Sequence, residues 1–233
     1  MLKQRATDQH PQPLRTPEES AALLQKFLEE AVAEHSDLGA ADEYRFIARH
    51  DRDFLYSAND PKAKYQGTQV YMSAVPAIIS PRRTSSVLAY VEYTPQSLSY
   101  VPERMVRAIL RHELNHIRCG HPPLPSQAFR QAYRDVRAGR ISVEAYEEAL
   151  QEHRRITCAY LNNPNPPGHR EKVEFEADAG IVDEPHELAD FFLLARDADE
   201  LCPAVQPLNR HGHPSLTARI RRLRVRGNQA NFT

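Results

Sequence analysis

The segment between Pro102 and Gly120 constrains the fold of this chain more than any other. Proline suits a helix start and glycine a helix end, so the spacing predicts one helix running to about Cys119. At about 100° per residue, Met105, His116, Ile109, Glu113, Val106, Ile117, Leu110 and Leu114 fill one continuous arc. Arg104, Arg107, Arg111, Asn115 and Arg118 fill the other side. The apolar arc must face a core, yet Glu113 lies inside it, between Ile109 and Val106. A carboxylate without a partner there is strongly destabilising. The rest of the chain must therefore bring something to meet it.

His112 and His116 suggest what that is. Four residues apart on a helix, they project side by side and can fill two tetrahedral positions around one zinc ion. Glu113 beside them can accept a proton from a metal-bound water, whose pKa zinc lowers from about 15.7 toward about 7. The pattern thus points to zinc-dependent peptide hydrolysis with Glu113 as general base. The plainer alternative is a buried hydrogen-bonded His-Glu-His cluster without metal.

A third ligand is required, and two stretches offer one. His121 follows five residues after His116 but lies beyond the helix-ending Gly120. A metzincin spacing is excluded, since Cys119 holds its glycine position and Pro122 its histidine position. Downstream, Glu174 and Asp178 share one helix face, while Glu176 points to nearly the opposite side. One of that pair can bind zinc while the other accepts a hydrogen bond from a ligating imidazole.

Around these motifs the pattern reads as α+β. Thr16, Pro17 and Glu19 form an N-terminal capping signature, followed by Ala21, Leu24, Leu28, Ala31 and Val32 at helical spacing. Tyr44 to Ala48, Gln69 to Ser73 and Val87 to Tyr93 read as strands. An extended substrate is expected to pair along the last of these, at Tyr90, Val91 and Glu92. Ser126 to Tyr160 reads as a charged, solvated helical pair broken near Gly139, with helices expected near 169–183, 185–199 and 214–226. The division expected is a flexible tail over 1–16, one domain over 17–226 with a soluble helical insertion at about 126–168, and a tail over 227–233.

Three stretches together resemble a known family: Arg111 to His121 (RHELNHIRCGH), Glu174 to Asp178 (EFEAD) and His213 to Leu223 (HPSLTARIRRL). They are similar to metallopeptidase family forty-eight, which includes the heat-shock protease HtpX and the CAAX prenyl endopeptidase. The resemblance implies a zincin-like, gluzincin-type fold with His112, His116 and Glu174 as ligands of one zinc ion per chain. It implies Glu113 as base, Asp178 behind a ligand histidine, His213 as a transition-state stabiliser and Arg219 near the substrate. The chain departs from the family at Asn115, where glycine is frequent. It also lacks a visible Asn-Ala-Phe segment upstream, and its 126–168 insertion is charged where many members carry membrane spans.

Composition narrows the remaining classes. With 30 basic and 31 acidic side chains, nothing draws the whole molecule to nucleic acid. The arginines at 219, 221, 222, 224 and 226 read as the exposed face of the last helix, so no nucleic-acid partner is expected. Three scattered cysteines form no framework and suit a reducing compartment. No apolar run reaches the roughly 20 residues of a membrane helix, and the first residues lack a secretory signal's apolar stretch. The expectation is a soluble cytoplasmic metalloendopeptidase acting on a protein or peptide. The alternative is a non-proteolytic zinc-binding or protein-interaction module on the same fold.

Overall fold

The computed structural model describes residues 12–49, 72–77, 87–163, 169–181, 184–201 and 214–230. Helix α1 (Pro17–Glu34) begins as its sequence dictates. Thr16 Oγ1 accepts from the Glu19 N–H at 3.1 Å, and the Glu19 carboxylate accepts from the Thr16 N–H at 2.6 Å. Leu24, Phe27, Leu28 and Ala31 form its buried stripe. The residues before it are anchored: the Leu14 N–H donates to the Ser99 carbonyl at 2.8 Å, and Arg15 donates to the carbonyls of Leu98 and Val101.

Three strands follow: β1 (Tyr44–Ala48), β2 (Met72–Pro76) and β3 (Ala89–Tyr93). The sheet order is β1-β3-β2, with β1 parallel and β2 antiparallel to β3. This overturns the expected substrate pairing at Tyr90, Val91 and Glu92. Every residue of β3 is paired on both sides, Val91 with Phe46 and with Ala74, so β3 offers no free edge. Its near-continuous apolar run is that of a centre strand, buried rather than available. Residues 69–71 of the expected second strand lie outside the described residues.

After the short helix α2 (Pro95–Leu98) comes α3 (Glu103–Cys119), ended by Gly120 in the left-handed conformation at φ 63°. Its buried face is broader than the periodicity predicts, because Asn115, expected toward solvent, is also buried. The cause is close packing by α6 (His169–Ala179). Asn115 Nδ2 donates to the Ala177 carbonyl at 3.2 Å, and a Cβ placed on Gly180 would come within 2.2 Å of that nitrogen.

Helices α4 (Gln127–Arg137) and α5 (Val143–Asn162) form the expected pair, each capped by a serine hydroxyl, Ser126 and Ser142. They are more than a solvated appendage. Phe129, Tyr133, Tyr146 and Leu150 build a second apolar cluster with Val87 and Leu88. Arg130 is fully buried and donates to the carbonyls of Asp37 at 2.8 Å and Arg118 at 3.0 Å. Arg134 pairs with Glu43. Helices α7 (Pro185–Leu201) and α8 (Leu216–Ala230) pack on each other, and α7 packs on α3. Ser215 caps α8, accepting from the Ala218 N–H at 3.2 Å. The helix also runs past 226 into the expected tail, to Ala230. The described residues form a mainly helical α+β architecture with a small three-stranded sheet. Among the described residues, no helix is long and apolar enough to cross a membrane.

Candidate metal centre

Helix α3 lies between β2 on one side and α6 and α7 on the other, so its His-Glu-x-x-His segment is enclosed by all three. His112, His116 and Glu174 are buried, and one ligand atom from each lies within 4.8 Å of the others. His112 Nε2 is 3.1 Å from His116 Nε2 and 3.5 Å from Glu174 Oε2, which is 3.9 Å from His116 Nε2. Donors about 2 Å from a tetrahedral ion stand about 3.3 Å apart. The three atoms therefore fit one small cation without large rearrangement.

The charge balance makes the same demand. Among the described residues, Glu113, Glu174 and Asp178 bring three buried carboxyl groups together, faced by the guanidinium of Arg219. Arg219 is buried, lies with its guanidinium carbon 3.9 Å from the Phe192 ring centre, and contacts Glu174 at 2.8 Å and Asp178 at 2.7 and 3.0 Å. Its Nη2 is also 3.1 Å from His112 Nε2. Burial and Arg219 work to discharge His112, but Asp178 and Glu174 outweigh them and raise it to about 9. A metal ion held by His112 would displace that proton. Burial pushes Glu113 up to about 7, against the opposing pull of His112 and of the Ala74 N–H, which donates to its Oε2 at 2.7 Å. Burial and the neighbouring His112 hold His116 well below the usual histidine range, as the neutral imidazole a ligand must be. Burial also works to raise Asp178, but contacts with His112 and Arg219 hold it below the ordinary aspartate value.

The carboxylate pair on α6 divides as one ligand candidate and one supporting group. Glu174 faces the two Nε2 atoms, whereas Asp178 Oδ1 lies 3.1 Å from His112 Nδ1, on the far side of that ring. The contact is close but not aligned for a full hydrogen bond. His121 does not join the ligand group. It lies behind His116, its Nδ1 at 3.0 Å from His116 Nδ1 and its Nε2 at 3.1 Å from Glu176 Oε2. Glu176, which its helical position turns away from the centre, thus returns to it through His121. The helix period alone could not reveal this, because His121 lies beyond Gly120 and its direction depends on the turn.

A cavity of about 340 Å³ opens over the centre. Met72, Ser73 and Ala74 of β2 form one wall and Pro122, Val173 and Phe191 belong to the others. Tyr90, Val91 and Glu92 do not line it, and Glu92 pairs instead with Arg49. Arg219 reaches the cavity but its guanidinium is committed to Asp178 and Glu174 rather than left for a substrate. Pro214 is part of the lining; His213 lies outside the described residues. Comparison of the chain with family models, curated proteins and solved structures finds no match.

Proposed function

We propose that the chain is a zinc-dependent metalloendopeptidase of gluzincin type, with His112, His116 and Glu174 as ligands and Glu113 as general base. The observation that carries this reading is the position of Glu113. It is a buried carboxyl group at the shared boundary of the ligand cluster, the cavity and the β2 strand. A site that only stored metal or braced the fold has no use for a proton acceptor there.

Zinc in such a site supplies a water of lowered pKa and polarises a peptide carbonyl. The chain's own residues do the rest. Glu113, a buried carboxyl group beside the ligand cluster and the cavity, is placed to take a proton and return it to the leaving amine. Asp178 orients His112. Strand β2, which pairs only with β3 among the described strands and borders the cavity, offers its outer edge to an extended peptide. That edge takes the place expected for Val87 to Tyr93. The resemblance to metallopeptidase family forty-eight supports the same assignment, including the role of His213.

Glu113→Gln keeps size and polarity but cannot take the proton. It should retain zinc and lose cleavage of unfolded protein by about 10²–10⁴-fold, the usual contribution of a positioned base. An unchanged rate in the variant would remove Glu113 from the chemistry. Zinc bound with no cleavage by the wild type, over a broad set of peptide libraries, would replace the peptidase with a metal-binding module.

A further inference from the structure

We propose that His121 and Glu176 are the positioning pair for His116, a two-residue relay that fixes its tautomer and runs from the metal centre to the surface. The inference rests on the metal-centre reading above and goes beyond it, because it gives a role to two residues outside the ligand set.

The geometry allows one arrangement of protons. His116 turns Nε2 toward His112 and Glu174, so as a neutral ligand it carries its proton on Nδ1. That nitrogen lies 3.0 Å from His121 Nδ1, which must then be the acceptor. His121 in turn carries its proton on Nε2, 3.1 Å from Glu176 Oε2. Each nitrogen has a partner of the right kind, and the chain ends on a carboxylate whose side chain is 47% exposed. Lys172 holds the other oxygen of that carboxylate at 3.6 Å.

The backbone sets His121 in place. Gly120 turns the chain at φ 63°, and the His121 N–H donates back to the carbonyl of His116 itself at 3.1 Å. The His121 carbonyl accepts from the Leu124 N–H at 2.8 Å. The backbone of His121 is thus held on both sides, and its imidazole stands edge-on against the His116 ring, with centroids 5.1 Å apart. The two ligand histidines are therefore supported differently: His112 by Asp178 directly, His116 by a carboxylate acting through a second imidazole. A ligand imidazole whose outer nitrogen is held in this way loses metal affinity when its support is removed, by about 10–100-fold.

The test is zinc competition against a chromogenic chelator, with the fold of each variant checked by its melting curve. His121→Ala should weaken zinc by about 10–100-fold. His121→Gln should remain close to wild type, because its amide oxygen can accept from His116 while its nitrogen donates to Glu176. Glu176→Ala should fall between them. Long-range ¹⁵N–¹H spectra of the zinc-loaded wild type should show His121 protonated on Nε2 and bare on Nδ1, a signature independent of whether any variant folds. Wild-type affinity in a folded His121→Ala, equal losses in the Ala and Gln forms, or the opposite His121 tautomer would each overturn the relay. A wild type that takes up no zinc would overturn the metal-centre reading at the first measurement, before any variant is compared.

Discussion

Asp178 and Glu174 show how much a single side chain's place in the centre matters. They sit one helical turn apart, yet Glu174 faces the Nε2 atoms of His112 and His116 while Asp178 stands behind His112 and pairs with Arg219. Glu174→Ala should therefore empty the site, measured as zinc per chain after dialysis. Asp178→Asn should keep zinc but weaken it by about 10–100-fold. It should also lower stability, since Arg219 is buried and loses a charged partner. Removing one member of a buried pair costs about 3–5 kcal/mol, and the neutral amide should forfeit part of that. A urea midpoint unchanged in Asp178→Asn would mean that Glu174 alone satisfies the guanidinium.

Helices α3 and α6 meet at a contact that a side chain and a missing side chain share. Asn115 occupies the space that Gly180 leaves open and ties the two elements through the Ala177 carbonyl. Since α3 carries both candidate ligand histidines and α6 carries Glu174, this contact sets the separation across which the candidate centre is built. Gly180→Ala forces Asn115 aside and should cost about 1–3 kcal/mol, as overpacking does. Adding Asn115→Ala should make the double variant less destabilised than the sum of the two, because the clash is removed with its cause. Strict additivity in denaturant unfolding would show that the two residues do not compete for space. At the same scale, β2 has its role by position in the sheet. It is the strand beside α3, so its Ala74 N–H reaches Glu113, while β3 is enclosed by its two neighbours.

Over the whole molecule, the α4–α5 pair is joined to the body by the buried Arg130, the Arg134–Glu43 pair and its own apolar cluster. Arg130 donates to the Arg118 carbonyl, one of the last of α3, and to Asp37 across from it. It thereby serves one of the last carbonyls of the helix that carries the candidate ligand histidines. Arg130→Met keeps the apolar stem and removes the donors. Melting should reveal a loss of about 1–3 kcal/mol for each carbonyl left buried without a partner. Zinc stoichiometry should be retained, because the ligands lie elsewhere. Full stability in this variant would show that water replaces the guanidinium at both carbonyls.

The start of α1, both ends of α3, the pair of helices at 127–162 and the presence of three short strands were legible because their causes are local. Thr16 with Glu19, Ser126, Ser142 and Gly120 act within a turn or two of the chain. His112, Glu113 and His116 were legible for the same reason, since helical spacing alone brings them together and burial of Glu113 followed from the apolar arc. Contacts between elements distant in sequence carry no such signature. The choice of Glu174 over His121, the enclosure of β3, the burial of Asn115 against Gly180, and the return of Glu176 to the centre through His121 each depend on which surfaces pack together. A helix period tells which residues share a face, but only packing of α6 and β2 against α3 decides what that face meets.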